Sequence, residues 1–344
     1  MTRKKTVAFG ELLLRLSAPG YERLLQTPTL HAHFGGGEAN VAMSLAAFGL
    51  DSHFVSRLPR NAIGDVAIRA LRAEGVDVSA IQRGGDRLGL YFTEKGASQR
   101  PSCVVYDRAS SAFIELAPGD VCWPEVLRDA SWFHTTGITP ALGGALVEST
   151  RTALVAARRA GARVSFDVNY RSKLWTQEEA RRVILPLLRH VHVLIANEGH
   201  LTDVLGLAYG AKGESTPSGD LGRLADAAAR AVAEHGVELV AITLRESLSA
   251  SENGWSALLY DGATGTMYRG PRYVVQLVDR IGGGDAFAAG LAYSLLEGRP
   301  LDDALRFAVA AGALKLTVVG DFNRVSVEEI EWLAAGHEDG RVSR

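Results

Sequence analysis

Short apolar runs, each followed by a longer stretch whose apolar positions recur at helical spacing, set the rhythm of this chain. Runs at 6–9, 53–56, 131–135, 163–167, 192–196 and 237–243 predict strands. The intervening stretches at 62–73, 144–159, 177–188 and 220–234 predict helices, as does the segment carrying Val41, Ala42, Leu45 and Ala46 and closing at Gly49. Such alternation predicts a parallel sheet covered by helices, with sites gathered at the C-terminal ends of strands. The rhythm breaks in two places. Residues 12–16 extend the first strand beyond Gly10-Glu11 and lead into a stretch up to Phe34 that reads as irregular. Runs at 88–93 and 102–108, joined by a polar loop, predict an antiparallel hairpin. Counting in twos puts Tyr106 and Arg108 on one face of the second run and sets Tyr91 against Leu90 and Phe92. Those residues make either a polar-aromatic ligand wall or an ordinary solvated strand face. Farther on, 247–270 reads as a loop and short hairpin, 273–278 as a short buried strand, 301–319 as a helix and strand, and 325–335 as a last helix.

After 273–278 comes Asp279-Arg280-Ile281-Gly282-Gly283-Gly284-Asp285. A helix is predicted from Asp285, with Phe287, Ala288, Leu291, Ala292, Leu295 and Leu296 at helical spacing and Gly298 and Pro300 as its stop. Backbone N–H groups at such a turn can hold an anion such as phosphate. Gly283 is the turn position where positive φ is expected. A carboxylate beside that site is repelled by its ligand, so Asp285 either caps the helix or takes a proton from an attacking hydroxyl while the glycine N–H groups neutralise the transferred group. A second glycine turn, Gly35-Gly36-Gly37-Glu38-Ala39-Asn40, fails as a dinucleotide fingerprint because Asn40 stands where the last glycine belongs. It is either a close backbone approach to a small polar ligand, with Asn40 offering its amide, or a tight turn. No Walker-type phosphate loop occurs. At strand ends stand Asp167-Val168-Asn169-Tyr170-Arg171, Asn197-Glu198 and Thr243-Leu244-Arg245; Arg171 is either an anion fork or a surface cation.

With 344 residues, 47% hydrophobic and 22% charged, the chain suits one large domain with an elaboration, or two domains. A net charge of −2 gives no electrostatic basis for a nucleic acid or an anionic membrane as partner. Cys103 and Cys122 lack metal or redox spacing and point to a reducing compartment. The nine histidines form no H-x-x-x-H pair. The start shows no signal-peptide pattern and no apolar run reaches the ~18 residues of a membrane span, so a cytoplasmic protein is expected.

The two glycine motifs together resemble the signatures of the ribokinase-like (PfkB-type) carbohydrate kinases. Within that family, Phe9-Gly10-Glu11, Tyr106-Asp107-Arg108, Gly137-Ile138-Thr139-Pro140-Ala141 and Asp167-Val168-Asn169-Tyr170-Arg171 resemble most those of 2-keto-3-deoxygluconate kinases. The resemblance covers roughly residues 6 to 320. It implies an α/β fold, a three-layer αβα sandwich with a mainly parallel central sheet and a small β-sheet lid. The sandwich would take residues 1–11, 35–86 and 116–344, and the lid 12–34 and 87–115. It also implies ATP-dependent, Mg2+-assisted phosphorylation of the terminal hydroxyl of a sugar acid. Asp285 would be the base and Gly282, Gly283 and Gly284 the anion hole. Gly36, Asn40, Tyr91, Tyr106, Arg108 and Arg171 would face the sugar, and Asn197, Thr243 and Arg245, with Gly282 and Gly284, the nucleotide. Three departures stand out. Arg280 replaces the usual threonine, which leaves a monovalent-cation site in question; His200 replaces a glutamate tied to magnesium, so the metal ligands stay unassigned; and Arg245-Glu246-Ser247-Leu248 replaces a glycine-rich nucleotide loop. The alternatives are a kinase for fructose, ribose or another keto-deoxy acid, or a sugar sensor without turnover. Exposed sheet edges favour a homo-oligomer.

Overall fold

Leu239–Ser247 illustrates why the short apolar runs become strands covered on both faces. Val240 and Ile242 enter one hydrophobic cluster, Leu239 and Ala241 another. In Val193–Asn197, Leu194 and Ala196 divide from Val193 and Ile195 in the same way. Successive strand side chains point to opposite faces, so a strand between two helix layers must be apolar at nearly every position. The computed structural model describes residues 3–207 and 221–337; Asp220 and the tail beyond residue 337 lie outside the described residues.

Six parallel strands run in the order Leu239–Ser247, Val193–Asn197, Arg163–Asp167, Ala130–Thr136, Lys5–Phe9 and Asp51–Val55. Glu252–Asp261 joins antiparallel to Leu239–Ser247, and Thr266–Arg269 and Tyr273–Gln276 both pair with it. Helices Gly144–Arg159, Gln177–Leu188 and Leu221–His235 bury Leu154, Ile184 and Ala228 on one face. Helices Gly37–Ala47, Gly283–Leu296 and Leu301–Lys315 bury Leu45, Phe287 and Phe307 on the other. The result is the expected three-layer αβα arrangement.

A separate four-stranded sheet runs in the order His31–Gly35, Leu13–Ser17, Gly89–Glu94 and Cys103–Asp107, and the last two form the antiparallel hairpin. It is fastened to the sandwich by Arg15, buried on the face opposite the half-buried Leu14 and Leu16, which meets Asp279 at 2.8 Å and Asp321 at 2.9 Å.

Four expectations are corrected. The stretch up to Phe34 is not wholly irregular: His31–Gly35 is an edge strand, exposed at His31 and Ala32 and half-buried at His33 and Phe34, which gives it no apolar run to read. Residues 247–270 do form a hairpin, Glu252–Asp261 with Thr266–Arg269, but not a loop with a short one: Glu252–Asp261 is a ten-residue strand inside the main sheet whose Asn253 and Ser256 are buried polar groups. The segment 273–278 is half-buried, not buried: only Tyr273–Gln276 is strand, at an edge that leaves Val274 52% exposed. No strand follows Leu301–Lys315; residues 316–320 curl back as turns, with Leu316 O accepting from Val278 N and Asp279 N at 3.0 and 3.1 Å.

Candidate active site

Every residue assigned above to the base, the anion hole, the sugar or the nucleotide lines one cleft of about 570 Å³ at the C-terminal edge of the parallel strands, beneath the small sheet. On one wall, the chain turns at Gly282 in the left-handed conformation, φ 88°, and helix Gly283–Leu296 begins there. The positive φ therefore belongs to Gly282, not Gly283. A Cβ at Gly282 would also fall 2.5 Å from the Asp321 carbonyl oxygen, whereas at Gly284 it would meet nothing within 4 Å. Gly282 is glycine for its conformation and Gly284 leaves open space in front of the turn.

Asp285 makes no capping hydrogen bond, and Gly282 is the N-cap, which removes the capping reading. Its carboxylate instead accepts from Asn40 Nδ2 at 2.6 Å. Asn40 sits in the first helical turn after the other glycine motif, with Oδ1 accepting from Gly36 N at 3.3 Å. Gly36 is required by proximity, since a Cβ there would lie 2.1 Å from Glu11 O. The two glycine turns, far apart in sequence, thus meet through one amide–carboxylate bond.

Burial pushes the Asp285 carboxyl up to about 7; the bond from Asn40 and the charge of Arg171 oppose this, while Asp167 and Glu38 add to it. Asp167, at the end of its strand, is likewise pushed up to about 7 by burial, against the Asn169 N–H bond at 3.0 Å and the charge of Arg171. Glu38 is raised by burial although it accepts from Thr136 N, Thr136 Oγ1 and Thr139 Oγ1 at 3.1, 2.8 and 2.8 Å.

The opposite wall is cationic. Arg245 stands at the exposed end of its strand, where partial desolvation by the cleft walls lowers its pKa and the charges of Arg280 and Arg171 lower it further. Neither Arg171 nor Arg245 has an ion-pair partner among the described residues, which leaves two guanidinium groups of the cleft available to an anion. Asn197 caps the helix Glu198–Asp203, its side chain accepting from His200 N at 2.8 Å. Burial and Arg171 drive the His200 pKa down to about 4, so His200 stands as a neutral capping partner that brings no negative charge. Thr243 Oγ1 reaches Ala196 O at 3.4 Å.

Under the small sheet, the rings of Tyr91 and Tyr106 stack at 5.6 Å and the Arg108 guanidinium lies 5.7 Å from the Tyr106 centroid. Arg108 is not a free cation: its Nε donates to Glu11 Oε2 at 2.9 Å, Nη2 reaches the same oxygen, and Ser111 caps the other oxygen. Glu11, Asp167 and Arg280 lie within the sequence motifs but have no site role in the sequence reading. Glu11 and Arg280 pair with residues far away in sequence, the Asp167 carboxylate bonds to the nearby Asn169 N–H, and the only signal of all three in the sequence is a charged residue at a strand end or beside a glycine turn. Among the described residues no cluster of three or more His, Cys, Asp or Glu is placed to hold a metal, and no helix is long and apolar enough to cross a membrane.

Comparison with known proteins adds the following. The sequence profile described as pfkB family carbohydrate kinase matches residues 3–326. A 2-dehydro-3-deoxygalactonokinase of Haloferax volcanii is 35% identical over 97% of this chain and 98% of its own length. A 2-dehydro-3-deoxygluconokinase of Bacillus subtilis is 30% identical over 94% and 93%. The crystal structure of a 2-dehydro-3-deoxygluconokinase of Thermotoga maritima superposes with a TM-score of 0.92 at 45% identity, covering 97% of this chain and 99% of that one.

Proposed function

Because the chain belongs to the pfkB family of carbohydrate kinases, we propose that it transfers the γ-phosphoryl group of ATP to the terminal hydroxyl of 2-dehydro-3-deoxygluconate, the compound also called 2-keto-3-deoxygluconate. The observation that carries the chemistry is a half-buried carboxyl whose pKa desolvation raises to about 7, held by Asn40 beside a turn of glycine N–H groups and facing arginines without ion-pair partners among the described residues. In this reading Asp285 takes the hydroxyl proton as the oxygen attacks the γ-phosphorus. The bond to the β,γ-bridging oxygen breaks, ADP leaves, and the N–H groups of Gly282 to Gly284 take up charge on the transferred group. Arg245, Thr243 and Asn197 line the nucleotide side. Gly36, Tyr91, Tyr106, Arg108 and Arg171 enclose the sugar acid, under a lid formed by 12–34 and 87–115 that closes over the sandwich of 1–11, 35–86 and 116–344. Asn40, which sequence resemblance sets against the sugar, also orients the base.

Magnesium keeps most of its waters and reaches protein through one or two carboxylates. Glu198, whose carboxyl pKa is raised by desolvation, and Asn197 are the residues that would hold it, and it would supply positive charge against the nucleotide phosphates. Cys103 and Cys122 are free and exposed, which fits a cytoplasmic enzyme, and the outward face of the small sheet, with Val105 47% exposed, fits a homo-oligomer.

The test is ADP release over 2-dehydro-3-deoxygluconate, the galactonate epimer, fructose and ribose, with and without magnesium. The two acids are expected to turn over best. No turnover with any sugar leaves the sensor reading standing. The same assay carries a pH prediction. A base must be ionised, and a carboxyl with a raised pKa is protonated below it. kcat/KM should therefore be half-maximal near pH 7 and fall about tenfold per pH unit below; a profile flat down to pH 5 rejects Asp285 as the base.

The glycines separate in a further prediction. Gly284→Ala adds a methyl to open space, so it should fold normally yet raise KM for ATP about tenfold by crowding the phosphate. Gly282→Ala is strained by its φ and meets backbone, and should lose about 1–3 kcal/mol of stability. Equal melting temperatures for the two variants would contradict the turn geometry.

A further inference from the structure

Lys315 closes helix Leu301–Lys315 with its side chain wholly buried, 0% exposed. Nothing in the proposed mechanism uses it, and a buried lysine is rare without partners. Its ammonium donates to Gly320 O at 2.8 Å and to Val318 O at 3.2 Å, so the turns of 316–320 wrap around it. Those turns in turn hold the segment leading into the glycine motif. Val278 N and Asp279 N donate to Leu316 O, and Gly320 N donates to Asp279 Oδ2 at 3.0 Å. A Cβ on Gly282 would fall 3.0 Å from Lys315 Cε. The lysine stem therefore lies directly behind the first glycine of the anion-holding turn.

The charges around it balance. Arg15 bridges Asp279 and Asp321, and Tyr91 donates to Asp321. Asp279 and Asp321 also oppose the lowering of the Lys315 pKa that burial causes. Two carboxylates behind a site that must receive phosphate would repel it; two cations, Arg15 and Lys315, cancel them. The carbonyl oxygens of Val318 and Gly320 are the ligand type a monovalent cation takes, yet here a tethered ammonium already occupies them. The same turn carries Arg280 and Ile281 in place of the threonine whose loss left such a cation in question.

We propose that Lys315 is a positioning residue whose tethered ammonium does the work of a dissolved monovalent cation beneath the Gly282–Gly284 turn, so that phosphoryl transfer by this protein requires neither potassium nor sodium. The proposal rests on the kinase reading. The ammonium keeps the carbonyls of 318 and 320 turned inward and so keeps Gly282 in the conformation that points the following N–H groups into the cleft.

The experiment compares turnover in buffers whose only monovalent cation is tetramethylammonium with the same buffers containing about 100 mM potassium or sodium. Wild-type kcat should change less than twofold. Lys315→Met should lower kcat about tenfold through a misaligned turn, with KM for the sugar little changed. Lys315→Ala, which empties the space in front of the two carbonyls, should lose similar activity and regain part of it saturably with potassium or ammonium. Its melting temperature should rise with potassium while that of the wild type does not. A wild-type enzyme activated severalfold by potassium, or a Lys315→Met variant with full kcat, overturns the proposal. If neither variant folds, the wild-type cation titration decides alone. A wild-type protein inactive on every sugar sinks the kinase reading instead, and the potassium dependence of the two melting temperatures still decides for or against the ammonium.

Discussion

Asp285→Asn is expected to lower kcat by about 10² to 10⁴, the usual worth of a positioned general base, with little change in sugar affinity. The same substitution is expected to raise the melting temperature of the ligand-free protein at pH 8. Burial holds the Asp285 carboxyl at about 7 against an ordinary 3.8. Between those values the folded state keeps a proton that the unfolded chain releases, so stability falls as pH rises through this window. Above it the full penalty of an ionised buried carboxylate applies, on the order of 4 kcal/mol. An amide removes that penalty and, once rotated, still accepts from the Asn40 side chain. The gain should shrink as pH falls from 7 toward 4, where the native carboxyl is protonated. Kinetics and calorimetry on one variant thus test one claim from two sides. A variant that keeps most of its turnover sinks the base. An inactive variant whose melting temperature at pH 8 equals that of the wild type shows that Asp285 is not a strained carboxylate.

The layers of the fold were legible because their causes are local. An apolar run such as 237–243 can be satisfied only between two covers, and helix 62–73 was readable residue for residue from its period, matching Ala62–Ala73. The glycine turns were legible for the same reason, since a phosphate cradle needs backbone without side chains. What escaped were features settled by distant partners. Arg15 alternates with Leu14 and Leu16, a pattern that reads as a solvated position, and only the carboxylates of Asp279 and Asp321 turn that face inward. Glu252–Asp261 lacks strand alternation because its buried polar groups are set by neighbouring strands rather than by its own period. The contact between Asn40 and Asp285 could not be read from spacing at all.

The sugar-acid assignment turns on two arginines that the structure makes unequal. Arg171 has no carboxylate partner among the described residues, and its charge is felt at Asp285, Asp167 and His200. Arg108 is paired with Glu11, side chains 11% and 2% exposed. A charge-assisted bond shielded from water is worth about 1.5–3 kcal/mol. Arg171→Ala should therefore raise KM for 2-dehydro-3-deoxygluconate by about 10- to 150-fold. Fructose or ribose, if turned over slowly, should lose far less, because neither presents a carboxylate. Arg108→Ala should behave differently. It strands a buried Glu11 with only Ser111 as partner, and removing one member of such a pair destabilises by about 3–5 kcal/mol. Its melting temperature should drop, and part of its kinetic loss should fall on acid and neutral substrates alike. Arg171→Ala is thus the cleaner probe of the carboxylate and Arg108→Ala the control for packing. Equal losses on acid and neutral sugars in the Arg171 variant, with its melting temperature intact, would leave a kinase whose substrate is not an acid.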